Sequence, residues 1–237
     1  MGNTLTFLHA ADLHLGAPFR GLRALSKSWS QRLLTAIPEA YDRVIDAAVS
    51  RKVDFAVFAG DIFDGSHPSY GDYRHFFAGL ERLRAAGIPA YLCTGNHDPY
   101  TSWQNDLFAL PDNATMLPAS KPGFALYRRD GEPLCLIAGR GFYSQAWPVD
   151  EDIAAGITRS EAIRALRATD PDAAAAPFAP GMPFAPPAAN APFAPGMPPA
   201  PDAANAAFAA CAPGAALAAF PLFPLETANG AATRCVG

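Results

Sequence analysis

Hydrophobic and polar residues fall in short, regular blocks over the first 170 positions of the chain. Leu5–Ala10 is an apolar run that ends in Asp12-Leu13-His14-Leu15-Gly16, which predicts a strand running into a loop. Gln31–Lys52 carries Leu33, Leu34, Ile37, Tyr41, Val44, Ile45 and Ala48 at spacings of three and four. That is an amphipathic helix, which Pro38 starts or kinks. Val53–Ala59 is apolar apart from Asp54 and stops at Gly60-Asp61, as a buried parallel strand would. Tyr70–Ala86 predicts a second helix closed by Gly87, and Ile88–Thr94 a further buried strand ending at Gly95-Asn96-His97-Asp98. Strand, helix, strand, helix, strand in this order implies right-handed crossovers and a parallel sheet. All three polar clusters then lie just past the carboxyl ends of strands, the edge where open α/β sheets place their ligands. Phe124–Tyr127 and Leu134–Gly139 predict two more strands joined at Asp130-Gly131. Glu151–Arg167 predicts a helix with Ile153, Ile157, Ile163 and Leu166 inward.

Composition divides the chain near residue 170. Residues 1–170 hold 17 of the 18 Lys and Arg, 19 of the 22 Asp and Glu, and all five His. Residues 171–237 hold 14 Pro, 25 Ala and four charged side chains, so the folded-domain argument rests on 1–170. Ala176–Asn190 and Ala191–Asn205 are tandem 15-residue units that agree at 13 positions. Proline at that density removes backbone donors and blocks helix and sheet, so 171–237 is expected to be a low-complexity, disordered tail. Ala206–Phe220 is alanine-rich enough for a weak helix. The balance of 17 basic and 19 acidic residues in 1–170 gives no basic footprint of nucleic-acid binding. Cys93, Cys135, Cys211 and Cys235 form no C-x-x-C pair and read as thiols in a reducing compartment. Met1–Phe19 lacks a basic n-region and carries Asp12 and His14 where an apolar stretch would be. The expectation is a cytoplasmic protein with no membrane span.

The three polar clusters define the candidate chemistry. Asp12 and His14 alternate along an extended segment and can share a face, while Asp61 and Asn96 end the next two strands. Carboxylate, imidazole and amide oxygen form a mixed site suited to Mn²⁺, Fe²⁺ or Zn²⁺. A carboxylate such as Asp61 can bridge two ions about 3.5–4 Å apart, the arrangement of two-metal phosphate chemistry. His97 follows Asn96 directly and is placed to act as an acid or electrostatic stabiliser. Each motif alone is weak, because a strand-end Asp is often a helix cap. Three clusters at three consecutive strand ends are hard to explain as caps. Plainer readings suit the remaining residues. His67 and His75 read as surface histidines and His9 as packed; Trp29, Trp103 and Trp147 read as core or lid, and the Arg82/Arg84 and Arg128/Arg129 pairs as solvated faces.

D-x-H, G-D and G-N-H-D in this order resemble the first motifs of the calcineurin-like metallophosphoesterases. His9–Phe19, Ala59-Gly60-Asp61-Ile62-Phe63-Asp64 and Arg140-Gly141-Phe142-Tyr143 are similar to segments of the SbcD/YhaO-type DNA-repair exonucleases within that superfamily. The likeness covers about residues 4–170. It implies an α/β fold, a metallophosphoesterase-type sheet with flanking helices, incomplete here and followed by the Pro/Ala-rich tail. It implies two divalent ions, Mn²⁺ foremost, with Asp12 and His14 on one, Asp61 as the bridge, Asn96 on the other, and His97 catalytic. It implies phosphodiester hydrolysis of DNA, an SbcC-like coiled-coil ATPase as partner, and dimerisation. The family also uses three later histidines, two of them in G-H-x-H, and this sequence has none after His97. Two other readings stay open: a phosphoesterase of nucleotides or phosphoproteins, and an impaired fragment that binds metal or partner without turnover.

Overall fold

A computed structural model describes residues 5–18, 26–65, 67–104 and 109–169, with 208–210, 216–221 and 234–236. Strands β1 (Thr6–Ala10), β2 (Phe55–Ala59), β3 (Ala90–Cys93) and β4 (Ala114–Met116) alternate with helices α1 (Lys27–Ser50) and α2 (Tyr70–Ala85). A hairpin of β5 (Gly123–Arg129) and β6 (Glu132–Arg140) follows, then α3 (Arg159–Thr169). The tandem repeat, 176–205, lies outside the described residues. Three segments of the tail are strands: β7 (Phe208–Ala210), β8 (Ala216–Pro221) and β9 (Arg234–Val236). The segment read as a weak alanine-rich helix is thus extended where it is described. The expectation of a disordered tail covers 171–237, and these three strands depart from it, β9 pairing with β1 and β8 with β6.

The parallel sheet runs in the order β4-β3-β2-β1-β9, and an antiparallel sheet in the order β5-β6-β8-β7. The period of two along each strand assigns its side chains to two different layers. Leu8, Ala56, Phe58 and Leu92 face α1 and α2, meeting Tyr41, Ile45, Ala48, Tyr73, Phe76, Leu80 and Leu83. Phe7, Phe55, Val57, Tyr91 and Cys93 face the hairpin sheet, meeting Tyr127, Cys135 and Ile137. Both faces are covered, which is why these strands read as unbroken apolar runs. α3 closes the outer face of the hairpin sheet with Ala162 and Leu166 against Leu136. The order of layers is helices, parallel sheet, antiparallel sheet, helix.

Local signals account for most element ends. Gly87 (φ +71) ends α2 in a Schellman turn: its N–H donates to the Arg84 carbonyl at 2.9 Å, and Ile88 N–H to Leu83 at 2.9 Å. Ser69 and Asp72 form a reciprocal capping box at the start of the same helix. Asp130 (φ +54) and Gly131 (φ +84) make the two-residue hairpin turn that a type I′ geometry requires. Two helix starts differ from the sequence expectation. α1 begins at Lys27 behind a Ser26 cap, and Pro38 lies inside it. α3 begins at Arg159 rather than Glu151, because Gly156 (φ +80) breaks the chain and Thr158 Oγ1 accepts the Glu161 N–H at 3.2 Å.

At the amino edge of the sheet, Asp54 clamps the two sheets together. Its carboxylate accepts from Thr6 N (2.7 Å), Tyr127 Oη (3.1 Å) and Arg129 Nε (3.0 Å). Arg129 is therefore held in an ion pair and is not a solvated face. Asp54→Ala is expected to lower unfolding stability by about 1.5–3 kcal/mol, as for loss of hydrogen bonds to a charged group. Urea denaturation measures this, and Mn²⁺ binding at the opposite edge should be unchanged in the same variant.

Candidate metal centre

The loops after β1, β2 and β3 are laced together at the carboxyl edge. Asp12 N–H donates to Gly60 O (3.2 Å), His14 N–H to Asp61 O (2.9 Å), Leu15 N–H to Ile62 O (2.8 Å) and Gly60 N–H to Cys93 O (3.1 Å). An isolated parallel bridge between Leu15 and Phe63 continues the β1–β2 pairing past the polar residues. His97 N–H donates to Asp61 Oδ1 at 2.9 Å, which brings the third loop onto the second.

Donor atoms of Asp12, His14 and Asp61 lie within 4.8 Å of one another. Asp61 is buried, His14 half-buried and Asp12 exposed, so the cluster opens to solvent on one side. Asn96 sits between Gly95, whose Cβ position abuts Asp61, and His97, which donates to Asp61. The His97 and His14 rings meet edge to face at 4.9 Å. All five residues expected at the site are thus at one edge.

Asp64 joins them, although its motif alone assigns it no role. Its Oδ1 is 2.9 Å from His14 Nδ1 and 3.9 Å from His97 Nδ1. Donors of His14, Asp64 and His97 also fall within 4.8 Å of one another. The signal that could have found it is a second Asp three residues after Asp61, on the segment that continues the β1–β2 pairing. The His14 contact is not aligned as a hydrogen bond, and its buried Nδ1 has no such partner. A buried imidazole nitrogen in that condition, beside two carboxylates, fits a divalent cation site.

Three of the residues adopt left-handed backbone: Asp12 (φ +52), His14 (φ +47) and Asp61 (φ +48). That conformation is strained for non-glycine residues, though less so for Asp, and it aims successive side chains at one point. Burial foremost, then the charge of Asp61, pushes the Asp12 carboxyl up, while His14 and His97 pull it down. The carboxylates crowd each other, as ligands of a cation do.

Asp98 supports the loops from beneath. Its Oδ2 accepts from Ile62 N (3.1 Å) and Phe63 N (3.4 Å), its Oδ1 from Gly95 N (2.8 Å), and its carbonyl from Trp103 Nε1 (2.9 Å). Burial pushes its carboxyl up to about 7 against the pull of these N–H groups. A Cβ on Gly95 would collide with Asp61 Oδ1 and Asp61 N.

The plainer readings hold for His67, His9 and Trp103, but not for Trp29, which is exposed rather than core, or for His75, which packs between α1 and α2. His75 packs on Tyr41 and lies 3.3 Å from Asp42, bridging α2 to α1. His67 is exposed and His9 half-buried in β1, its pKa lowered by burial. Trp103 is core, Trp147 lies under Arg140 at 4.6 Å, and Trp29 is exposed. Arg82 pairs with Asp42 and Asp46, and Arg84 with Glu81. Cys93 and Cys135 are buried. Among the described residues no helix is long and apolar enough to cross a membrane.

Residues 5–160 match the family described as calcineurin-like phosphoesterase. The chain is 32% identical over 178 residues to the uncharacterized metallophosphoesterase YhaO of Bacillus subtilis, covering 75% of this chain and 40% of that one. It is 32% identical over 135 residues to the SbcD component of the nuclease SbcCD of Escherichia coli, covering 54% and 30%. It is 35% identical over 109 residues to the DNA double-strand break repair protein Mre11 of Methanosarcina mazei, covering 46% and 16%. The chain spans less than half the length of these relatives.

Asp98→Asn replaces one acceptor oxygen by an amide that faces an N–H donor. Expected is a loss of about 1–3 kcal/mol in unfolding stability together with weaker Mn²⁺ binding. Gly95→Ala should keep the circular dichroism of the fold yet abolish Mn²⁺ binding by calorimetry, because the added methyl displaces Asp61.

Proposed function

The chain belongs to the calcineurin-like phosphoesterase family, and we propose that it is a two-metal phosphodiesterase whose substrate is DNA, of the exonuclease type. The convergence of Asp12, His14 and Asp61 donors within 4.8 Å, at laced strand ends, carries this reading. Asp12, His14 and Asp61 would hold one divalent ion, and Asp61 and Asn96 a second, with Mn²⁺ the preferred metal. Such ions neutralise phosphate oxygens and lower the pKa of water. His97, half-exposed at the rim, would protonate the leaving oxygen or offset charge on a non-bridging one. Asp64, whose Oδ1 lies 3.9 Å from its Nδ1, would help to orient the ring. The relatives named for SbcCD and Mre11 favour DNA over nucleotides or phosphoproteins; a cytoplasmic location, with an SbcC-like ATPase and a second copy as partners, completes the proposal.

A second reading is favoured by one observation: no histidine follows His97 in the sequence. Within residues 1–237 the Asn96-side ion would draw on Asp61 and Asn96, two oxygen donors that compete poorly with water. Losing one electrostatic stabiliser costs about 10²–10³ in rate. Cleavage of linear DNA with Mn²⁺ is therefore expected to be slow, abolished by Asp61→Ala, with a single weak site in calorimetric titration. Brisk cleavage that Asp61→Ala abolishes would mean further ligands reach the site from elsewhere. Hydrolysis of nucleotides but not of single- or double-stranded DNA would move the substrate to small esters.

A further inference from the structure

Two large aromatic side chains on the segments after β3 and β6 are exposed together. Tyr100 is 41% and Tyr143 54% exposed, their ring centroids 6.3 Å apart and their planes within 19° of parallel. They come from different loops, after β3 and after β6. The seam between those loops is already firm. Phe142 N–H donates to Thr94 O (3.0 Å), Thr94 Oγ1 to Phe142 O (2.7 Å), Tyr100 N–H to Phe142 O (2.9 Å) and Thr101 N–H to Tyr143 O (3.2 Å). Gly141 permits this approach, since a Cβ there would strike Thr94. With four hydrogen bonds joining the loops, the ring pair is not needed to hold them, and both side chains are exposed.

We propose that Tyr100 and Tyr143 form a stacking platform for an unpaired nucleobase of the strand whose phosphate occupies the metal centre. The proposal rests on the phosphodiesterase reading above and names a contact that selects for nucleic acid. Tyr100 is three residues beyond His97, so their Cα atoms are at most about 11 Å apart by chain length alone. That puts the platform within reach of a nucleotide flanking the scissile phosphate. Near-parallel rings on a stiff seam suit a planar ligand better than an aliphatic one. Every base has a π-face, so such a platform is indifferent to sequence and favours single-stranded or frayed ends over paired duplex. It also supplies attraction without positive charge, in keeping with a domain that carries no excess of Lys and Arg.

The test compares a short fluorescent single strand with its abasic counterpart, by anisotropy with the full chain and Mn²⁺, strand integrity being checked by gel. Stacking on aromatic side chains is worth about 1–3 kcal/mol per base, so the base-bearing strand should bind about fivefold tighter or more. Tyr100→Ala and Tyr143→Ala should each reduce that ratio and the double variant bring it to one. Tyr100→Phe and Tyr143→Phe should keep it, because the ring and not the hydroxyl stacks. A wild-type ratio near one, including the case in which neither strand binds, overturns the platform. So does a ratio that survives in the double alanine variant. The abasic strand reports the phosphate site separately. If Asp61→Ala leaves its affinity unchanged, the phosphodiesterase reading fails while the ratio still scores the platform.

Discussion

One buried carboxylate holds the candidate site in register. Asp98 accepts N–H groups from Ile62, Phe63 and Gly95, so it ties the loop carrying Asp61 to the loop carrying Asn96 and His97. Each of those N–H groups lies just past the named end of β2 or β3, where a buried donor needs an acceptor. Because Asp98 is 1% exposed, water cannot substitute. The positions of Asp61, Asn96 and His97 follow from this tie, while Asp12 and His14 are held by their own backbone bonds to the loop after β2.

Strain is the second half of the same device. Asp12, His14 and Asp61 hold left-handed backbone, and the loops that carry them are pinned by hydrogen bonds from Asp12, His14, Leu15 and Gly60. Left-handed conformation at a non-glycine residue costs on the order of 1–3 kcal/mol. It persists because the surrounding ladder over-determines it. In return, the side chains of residues 12 and 14 reach the same point as that of residue 61. An ordinary extended chain would bring 12 and 14 to one face but would not fold both over the end of β2.

Much of this is legible in the residues. Continuous apolar runs ending in Asp-x-His, Gly-Asp and Gly-Asn-His-Asp locate three strand ends, and the βαβ order places them on one edge. What covers the far face of the sheet is not legible, because Phe7, Phe55 and Tyr91 meet Tyr127 and Ile137 only through long-range packing. A fully apolar strand says that both faces are buried without saying by what. Arg129 reads as a solvated face for the same reason, its partner Asp54 being 75 residues away. The start of α3 departs from expectation although its signal is local. Ile153 and Ile157 have helical spacing, yet Gly156 and the Thr158-x-x-Glu161 cap decide the boundary. Short strand β4 has too few residues to show a period.

Charge ties substrate to metal. Asp12, Asp61 and Asp64 crowd the rim with His14 and His97, and burial together with Asp61 already pushes the Asp12 carboxyl up. An anionic phosphodiester approaching that rim by itself would meet like charge in a partly desolvated setting, where repulsion is stronger than in bulk water. Divalent cations reverse the sign of the field and satisfy the carboxylates in one step. On the two-metal reading proposed above, phosphate binding and metal binding at this edge would be linked, each raising the other's affinity by the same factor. On that reading the Asn96 side, with one carboxylate shared and one neutral amide, would be where the linkage is thinnest.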